Sequence, residues 1–328
     1  MEPRRLGQTD IEISPIGLGC WQFSQGKNMT GKMWSVLDQT TMDAIVAAAL
    51  RGGTTWFDTA QAYGGGASER ALSAALGHAD VVPGSVAVAT KWLPILKPAG
   101  DISRTIGTRI ECLQPYPIDL FQVHIPWSLS SIPVQMREMA KLVRAGTVRA
   151  VGVSNFSASQ MAKAGAALQA EGLLLAANQV RINLLDRAIE TNGVLDLARK
   201  HRVTLIAYSP LAQGILTGRY HDDPAAVRAL PYGRRSRLSP SNRFLTSKGL
   251  ARSAPLIAAL RAVGAAHGAT PAQVALAWLV SYYGDTVVAI PGASRPEQAT
   301  AAAAAMDLRL SAAEMASLDA ISAAVTKR

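Results

Sequence analysis

The sequence predicts an α/β fold of the (β/α)8 type, a TIM barrel, with an N-terminal β-hairpin before it and a long loop after the seventh barrel strand. Eight short apolar runs of strand type occur along the chain, and patterns typical of amphipathic helices separate nearly all of them. Most runs end roughly 25 to 38 residues apart, about the length of one βα unit. The chain has 328 residues, which suits one barrel, so we expect a single domain over residues 1–328.

The predicted elements follow one another in a regular order. Residues 6–16 alternate apolar and polar side chains around Gln-Thr-Asp, which predicts the hairpin. The barrel strands are predicted to end at residues 20, 58, 91, 124, 154, 179, 208 and 290. Helices are predicted over residues 40–50, 68–76, 103–113, 134–145, 157–170, 192–201, 254–267, 271–281, 296–305 and 311–325. The wide gap before the last strand holds a basic loop and two of these helices.

The second helix follows the glycine run 64–66, and Ser68 is the predicted N-cap residue there. A doubly wound parallel sheet is the alternative fold. Such a sheet usually carries a glycine-rich phosphate-binding turn after its first strand. The pair Gly17 and Gly19 lacks the third glycine of that turn, so close backbone packing is the better interpretation.

Composition and charge narrow the classes of function. Apolar residues make up 49% of the chain and charged residues 17%, which favours a large core over disorder. Two cysteines give neither a disulfide framework nor metal-ligand spacing. With no signal-type or membrane-spanning run, we expect a cytoplasmic protein with no membrane partner. We also expect a monomer or a weak homo-oligomer.

The net charge of +10 is compatible with nucleic acid, an anionic membrane or a phosphorylated ligand. Residues 218–252 hold eight Lys or Arg against two acids, a local balance of +6. Their aromatic residues are too scattered for a base-stacking platform, so we expect no nucleic-acid partner. A small anionic ligand or plain solubility is the better interpretation of the basic charge.

An uncommon set of side chains falls at three successive strand ends. Asp58, Lys91 and His124 lie 33 residues apart from one to the next, and Tyr63 follows on the loop after Asp58. Each residue alone is most often structural. In a barrel, however, the carboxyl ends of all strands meet at one face, where active sites form. The four residues are therefore the predicted catalytic group.

Proton transfer to a carbonyl oxygen is the chemistry these residues indicate. Tyrosine is a poor acid at neutral pH, and a nearby ammonium lowers its pKa. Lys91 is expected to supply that charge and Asp58 to hold Lys91, while His124 orients the carbonyl. Because no side chain delivers a hydride, a nicotinamide cofactor is implied.

The later strand ends suit such a cofactor. Ser154, Asn155 and Gln179 are neutral groups for a carboxamide, and Tyr208 offers a ring for stacking. The turn 209–214, which begins at Ser209, can approach phosphates through backbone N–H groups. Segment 292–295, from Gly292 to Arg295, precedes a helix and is a predicted anion site.

The sequence resembles the aldo-keto reductases over nearly its whole length. The most specific matches are Phe57-Asp58-Thr59-Ala60-x-x-Tyr63-Gly64, Gly152-Val153-Ser154-Asn155-Phe156, Tyr208-Ser209-Pro210-Leu211 and Ile290-Pro291-Gly292-Ala293-Ser294. The glycine run after Tyr63 and the segment 183–186 resemble the bacterial and plant branches. The resemblance implies a (β/α)8 barrel that uses NADPH without a Rossmann motif.

The resemblance also implies residue roles. Asp58, Tyr63, Lys91 and His124 match the family's tetrad, with tyrosine as general acid. Ser154, Asn155, Gln179 and Tyr208 match the residues that hold the nicotinamide ring. Leu211, Gly214 and Leu216 fall in the pyrophosphate turn, and Ser294, Arg295 and Gln298 in the segment that reads the 2′-phosphate and adenosine. Ala301 and Ala302 replace the usual Glu-Asn, so adenine contact is expected to be weaker or made elsewhere.

We therefore expect an NADPH-dependent reductase of aldehydes or ketones. Trp21, Trp92 and Trp127 are predicted to line the substrate mouth, together with Tyr63, and indicate an apolar or aromatic carbonyl substrate. The arginines of the basic loop favour a phosphorylated or carboxylated one instead. Two alternatives remain open: an NADP-binding regulatory subunit resembling potassium-channel β subunits, and a sugar or polyol dehydrogenase that runs oxidatively.

Overall fold

Eight parallel strands form a barrel in the computed structural model, which describes residues 2–231 and 240–327. The strands are β3 (Leu18–Gly19), β4 (Trp56–Asp58), β5 (Ala87–Trp92), β6 (Ile118–Val123), β7 (Val148–Ser154), β8 (Leu175–Arg181), β9 (Thr204–Tyr208) and β10 (Val287–Ile290). Each pairs in parallel with the next along the chain. Gly19 N donates to Pro291 O at 3.0 Å and Ala289 N to Pro15 O at 2.9 Å, so β3 also meets β10. This ring confirms the TIM barrel and excludes the doubly wound sheet.

Helices connect the strands on the outside of the barrel. They are α1 (Asn28–Gly31), α2 (Gln39–Arg51), α3 (Ala67–His78), α4 (Gly100–Leu113), α5 (Ile132–Arg144), α6 (Ala158–Gln169), α7 (Val194–His201), α8 (Arg219–Asp222), α9 (Ser247–His267), α10 (Pro271–Tyr282), α11 (Pro296–Ala304) and α12 (Ala312–Thr326). Shorter 3-10 turns lie at Trp21–Ser24, Ala188–Glu190, Ala212–Thr217, Pro224–Val227, Pro240–Leu245 and Gly284–Thr286. Within the described ranges, no helix is long and apolar enough to cross a membrane.

The predicted hairpin closes the bottom of the barrel. Strands β1 (Arg4–Arg5) and β2 (Glu12–Ile13) pair antiparallel. Leu6, Ile11 and Ile13 are buried in the cluster that fills the barrel interior. The hairpin is hydrogen-bonded to the barrel wall, since Gly7 N donates to Thr204 Oγ1 at 2.7 Å.

The barrel interior is apolar toward the amino ends of the strands, which we call the lower end, and polar toward their carboxyl ends. Successive side chains of a strand point to opposite faces, so inward positions recur every second residue. The lower inward residues belong to the apolar cluster: Trp56, Ala89, Leu120, Ala150, Ala177 and Ile206. The inward positions at the carboxyl end of the same strands are polar: Asp58, Lys91, Gln122, Ser154, Gln179 and Tyr208. Strand alternation thus places one polar layer at the active face.

The starts of α3 and α9 differ from the sequence prediction in an informative way. Gly66, not Ser68, is the N-cap residue of α3, and the Ser68 hydroxyl instead donates to Cys20 O at 2.6 Å. Helix α9 begins at Ser247 rather than at residue 254, because Thr246 caps it and accepts from Gly249 N at 3.0 Å. Pro255 lies inside that helix.

The long connection after the seventh barrel strand is present and is more helical than a loop. Its described residues between β9 and α9 contain α8 and three 3-10 turns. Buried side chains such as Tyr220 and Phe244 join it to the main core. Part of the predicted basic stretch, Arg234, Arg235 and Arg237, lies outside the described residues.

Candidate active site

A buried ion pair lies at the centre of the polar layer. Lys91 Nζ donates to Asp58 Oδ1 at 2.5 Å and to Thr59 O at 2.8 Å. Both side chains are fully buried, and burial lowers the pKa of Lys91 while Asp58 opposes that change. The pair joins β4 to β5, as the predicted strand ends require.

Tyr63 stands directly against this pair. Lys91 Nζ lies 5.1 Å from the centroid of its ring, and the Trp21 ring stacks on it at 5.6 Å with an interplanar angle of 16°. The Tyr63 ring also meets the His124 ring edge to face at 5.7 Å. The structure therefore brings together all four residues of the predicted catalytic group.

The direction of the pKa shift of Tyr63 differs from the sequence prediction. Burial, followed by the Asp58 carboxylate, raises the pKa of Tyr63 well above its usual range, whereas a lowered pKa was expected from Lys91. Asp58 accepts a hydrogen bond from Lys91, and its negative charge also acts on the phenol. That charge therefore offsets the effect of the Lys91 charge on the pKa of Tyr63. Tyr63 is consequently a neutral phenol at physiological pH, the form that a proton donor needs.

His124 is held as a neutral imidazole. Burial, then the Lys91 charge, lowers the pKa of His124 from 6.5 to about 3. Its Nδ1 atom is buried and has no hydrogen-bond partner among the described residues. A neutral imidazole carries one N–H donor and one acceptor nitrogen, which suits it to orient a carbonyl oxygen.

The predicted carboxamide-binding residues form a linked row along the rim. Asn155 Nδ2 donates to His124 O at 3.1 Å and to Ser154 Oγ at 3.0 Å, and its Oδ1 accepts from the Tyr208 hydroxyl at 2.9 Å. Asn155 has φ +61°, a left-handed conformation that turns its amide over the barrel mouth. Gln179 lies below this row, where its Nε2 donates to Asp58 Oδ2 at 2.8 Å.

Tyr208 presents a half-buried ring next to these amides. The Arg181 guanidinium carbon lies 5.5 Å from the centroid of the Tyr208 ring. Burial raises the pKa of the Tyr208 phenol, which keeps it protonated as the donor to Asn155. The ring is thus held by its hydroxyl and by a cation, as a stacking platform requires.

The turn after β9 has an unusual backbone. Ser209, Ala212 and Gln213 adopt positive φ of 50°, 48° and 58°, and Gly214 follows at 95°. Backbones of this kind can direct successive N–H groups toward an anion. Leu211 is half-buried and Leu216 is buried, so both pack the turn onto the barrel.

The second predicted anion site lies at the start of α11. Gln298 Oε1 accepts from Ser294 N at 2.8 Å and from Ser294 Oγ at 3.2 Å. Arg295 is the N-cap residue and is exposed, so its guanidinium is accessible beside the helix N-terminus. A Cβ on Gly292 would lie 2.3 Å from the side-chain amide of Gln22, which would have to shift.

One substrate-mouth prediction is wrong. Trp92 is 1% exposed and faces the helical layer, where its Nε1 donates to Asp101 Oδ2 at 2.9 Å. Adjacent residues of a strand point to opposite faces, so an inward Lys91 directs Trp92 outward. Trp21 stacks on Tyr63 at the rim, and Trp127, which is 73% exposed, lies on the loop after β6.

Gln122 is a residue of the polar layer that lies outside the predicted set. It is fully buried, and its Nε2 lies 3.3 Å from Asp58 Oδ2. Its position two residues before His124, on the same strand face, is a signal in the sequence that identifies it as inward. Among the described residues, no cluster of His, Cys, Asp and Glu is arranged to hold a metal ion.

Comparison with known proteins identifies the family. Residues 15–323 match the Aldo/keto reductase family. The chain belongs to this family. An aldo-keto reductase of Bacillus subtilis, YhdN, is 34% identical over 230 residues, which cover 68% of this chain and 66% of that protein. An uncharacterized oxidoreductase of Mycobacterium tuberculosis is 39% identical over 307 residues, which cover 92% and 87%.

Further similarities extend to a plant enzyme and to solved structures. The chloroplastic pyridoxal reductase of Arabidopsis thaliana is 31% identical over 296 residues, covering 86% of this aldo-keto reductase and 76% of the plant protein. The glycerol dehydrogenase of Gluconobacter oxydans superposes with a TM-score of 0.81 at 27% identity, covering 97% of this chain and 94% of that one. A thermostable aldo-keto reductase in complex with epalrestat gives a TM-score of 0.76 at 28% identity, with 98% and 100% covered.

Family membership makes this chain an oxidoreductase, and aldo-keto reductases bind a nicotinamide cofactor. The residues at the barrel mouth fit such a group: Ser154 and Asn155 offer hydroxyl and amide groups, Tyr208 a ring, and Arg295 a cation at a helix N-terminus.

Proposed function

We propose that this aldo-keto reductase is an NADPH-dependent enzyme that reduces aldehydes or ketones to alcohols, with Tyr63 as general acid. The supporting observation is the meeting of Tyr63, Lys91, Asp58 and His124 at one rim, with Tyr63 held as a phenol. The bound nicotinamide supplies the hydride. The side chains of this chain would orient the carbonyl and move the proton.

The proposed reaction uses Tyr63 and His124 on the same oxygen atom. His124 orients the carbonyl through its N–H, and Tyr63 transfers its proton to the alkoxide that develops there. A developing alkoxide is a far stronger base than a phenolate, so a phenol of raised pKa remains an adequate donor. Lys91 stabilises the phenolate that is left, and Asp58 keeps Lys91 in position.

The cofactor assignment follows the residues at the mouth. Ser154, Asn155 and Gln179 are proposed to bind the carboxamide, and Tyr208 to stack on the ring. The turn 209–216 is proposed to approach the pyrophosphate. Arg295 beside the N-terminus of α11 supports a 2′-phosphate, hence NADPH rather than NADH.

An apolar or aromatic carbonyl compound is the proposed substrate class. Trp21 stacks on Tyr63, and the loops after β5 and β6 expose Leu96 (82%), Trp127 (73%) and Leu129 (69%) near the mouth. The two loops are held together, since Leu129 N donates to Lys97 O at 3.0 Å. Because one relative is named pyridoxal reductase, pyridoxal should be among the carbonyl compounds that are tested as substrates.

The Tyr63→Phe variant tests this function. Without its hydroxyl, we expect reduction of 4-nitrobenzaldehyde to fall at least about a thousandfold, since general acid catalysis contributes up to about 10⁴-fold. The fall in absorbance at 340 nm measures NADPH oxidation. Quenching of tryptophan fluorescence should report an unchanged NADPH affinity. Near-normal turnover in Tyr63→Phe would contradict the mechanism, and a wild-type protein that binds NADPH without turnover would favour a cofactor-sensing subunit.

Oxidation of polyols is a second candidate function. The similarity to a glycerol dehydrogenase, with a TM-score of 0.81, favours it. In the oxidative direction the same residues act with Tyr63 as the phenolate that accepts the proton, so its raised pKa favours oxidation at high pH. Incubation with NADP+ and glycerol, other polyols or sugar alcohols distinguishes the two, since oxidation raises absorbance at 340 nm. Specificity constants in each direction with both coenzymes decide the preferred reaction.

A further inference from the structure

Gln122 is a buried amide for which the proposed reaction has no role. It is fully buried on β6, beside Lys91 on β5 and Gly152 on β7 in the strand register. A Cβ added to Gly152 would lie 3.0 Å from Gln122 Cγ, so the glycine makes room for this side chain. The barrel layer beneath is apolar, and a polar group here needs an explanation.

The amide points at Asp58. Asp58 Oδ1 accepts from Lys91, while Oδ2 accepts from Gln179 Nε2 at 2.8 Å and from Gln122 Nε2 at 3.3 Å. A carboxylate only accepts, so the nitrogen of each amide must face it. In this orientation Gln122 Oε1 is buried without a partner among the described residues. Leaving an acceptor unpaired costs free energy, which the bond to Asp58 offsets.

The amides of Gln122 and Gln179 influence where the proton shared by Lys91 and Asp58 resides. In a buried Lys–Asp pair, burial disfavours both charges, and transfer of the proton along the hydrogen bond would make both partners neutral. Donors to the carboxylate stabilise its ionised form. Each amide on Asp58 therefore favours the charged pair, and with it the ammonium 5.1 Å from the centroid of the Tyr63 ring.

We propose that Gln122 is a positioning residue that, together with Gln179, keeps Asp58 ionised and thereby keeps Lys91 charged beside Tyr63. Gln122 acts through Asp58 and touches neither the substrate nor the cofactor. Gln179 also donates to Asp58, from β8 on the opposite side of the barrel from β4, and it is in addition one of the residues proposed to bind the carboxamide. The consequence for catalysis rests on the proposed function.

Other titratable groups face the pair from several elements. Cys20 on the β3 side and Tyr63 on the loop after β4 stay protonated because burial raises the pKa of both. His124 after β6 stays neutral, since its pKa is lowered to about 3. Glu69 on α3 acts on Lys91 and is paired with Arg109. Tyr208 on β9 acts on Tyr63 and is protonated, its pKa being raised by burial.

Two variants of Gln122 separate a positioning role from a packing role. Gln122→Leu keeps the approximate volume and removes the donor. Gln122→Glu keeps the shape, and its protonated acid donates to Asp58 while its ionised form repels it. Gln135→Leu is the matched control, because Gln135 is also fully buried, donates through Nε2 to Ser130 O at 2.9 Å and has an unpartnered Oε1.

The first measurement is kcat between about pH 5.5 and 9 with NADPH and 4-nitrobenzaldehyde. We expect Gln122→Leu to lose about tenfold or more in kcat at every pH, with NADPH affinity unchanged within about twofold. Gln122→Glu should retain most of its kcat at low pH and lose it as the introduced carboxyl ionises. Gln135→Leu should keep the wild-type pH profile. A wild-type profile in Gln122→Glu would overturn the proposal, and this isosteric variant decides alone if Gln122→Leu does not fold.

The second measurement does not depend on activity. Infrared spectra near pH 8 should show the carbonyl stretch of one protonated carboxylic acid in Gln122→Leu and none in Gln135→Leu. The band should vanish when Asp58→Asn is added. Its absence would overturn the claim that the amide keeps Asp58 ionised, even if the wild-type protein reduces no carbonyl compound and the proposed function fails.

Discussion

Tyr63 and His124 carry no charge in the folded protein, and their surroundings explain why. Burial raises the pKa of Tyr63 and lowers that of His124, and each change favours the neutral form. The charge in this layer is confined to Lys91 and Asp58, which neutralise each other. The site therefore offers two neutral hydrogen-bond donors to a carbonyl oxygen beside one enclosed ion pair.

Arg295 is the residue on which the coenzyme preference rests. Arg295→Ala should raise the KM for NADPH about tenfold or more, since a charge-assisted hydrogen bond contributes about 1.5–3 kcal/mol, and leave the KM for NADH nearly unchanged. Steady-state kinetics with both coenzymes measures this. Arg51→Ala, an exposed position at the end of α2, is the control. Equal changes for the two coenzymes would remove Arg295 from the 2′-phosphate site.

Helices α3 and α4 are joined behind the Tyr63 loop by a buried ion pair. Glu69, in the first turn of α3, is fully buried, bonds Arg109 of α4 and accepts from Thr90 Oγ1 at 2.7 Å. Thr90 precedes Lys91 on β5 and faces the opposite way. Because α3 follows directly after the glycine run 64–66, this pair fixes the helix from which the Tyr63 loop extends.

Loss of the guanidinium should leave a buried carboxylate without its partner. We expect Arg109→Met to lower the free energy of unfolding by about 3–5 kcal/mol near pH 8. The loss should be smaller near pH 5. Burial already raises the pKa of Glu69, and without Arg109 the folded protein binds a proton that the unfolded chain releases, so stability falls as pH rises.

Urea unfolding at the two pH values measures this effect. Arg144→Met is the control, because Arg144 is half-exposed in its pair with Glu171 and such pairs contribute at most about 1 kcal/mol. Similar losses in the free energy of unfolding for the two variants, or a loss in Arg109→Met that does not change with pH, would show that Glu69 does not depend on Arg109 for its charge.

At the scale of the whole molecule, one end of the barrel contributes to stability and the other carries the proposed chemistry. The hairpin fills the lower end with Leu6, Ile11 and Ile13, while the polar layer and the connecting loops occupy the upper end. Apolar layers lie between them. Changes at the lower end should therefore affect stability and leave the chemistry at the upper end intact.

Ile13→Ala tests this separation. Ile13 is 1% exposed, and truncation of a buried isoleucine costs about 2–5 kcal/mol of stability. We expect a lower midpoint of urea unfolding with KM values for NADPH and aldehyde unchanged. Val82→Ala, at a position 67% exposed, should change neither. A raised KM in Ile13→Ala would show that the hairpin also shapes the active face.

Much of this architecture could be predicted from local patterns. Apolar runs at βα spacing predict the strands, and parallel strands in a barrel bring their carboxyl ends to one face. Asp58, Lys91 and His124 could therefore be placed together without coordinates, and Tyr63 with them. The same period-2 rule predicts an inward Gln122 and an outward Trp92.

Other features depend on contacts between segments distant in sequence, and only the tertiary structure decided them. The raised pKa of Tyr63 depends on how completely the folded barrel removes water from the phenol and places Asp58 near it. Ser68 bonds to Cys20 rather than capping α3, because β3 passes close to that helix start. The sequence by itself determined which polar groups arrive at the active face, since residue order and strand period are local. Burial and neighbouring charge depend on the whole fold, so only the tertiary structure decided the protonation states of these groups.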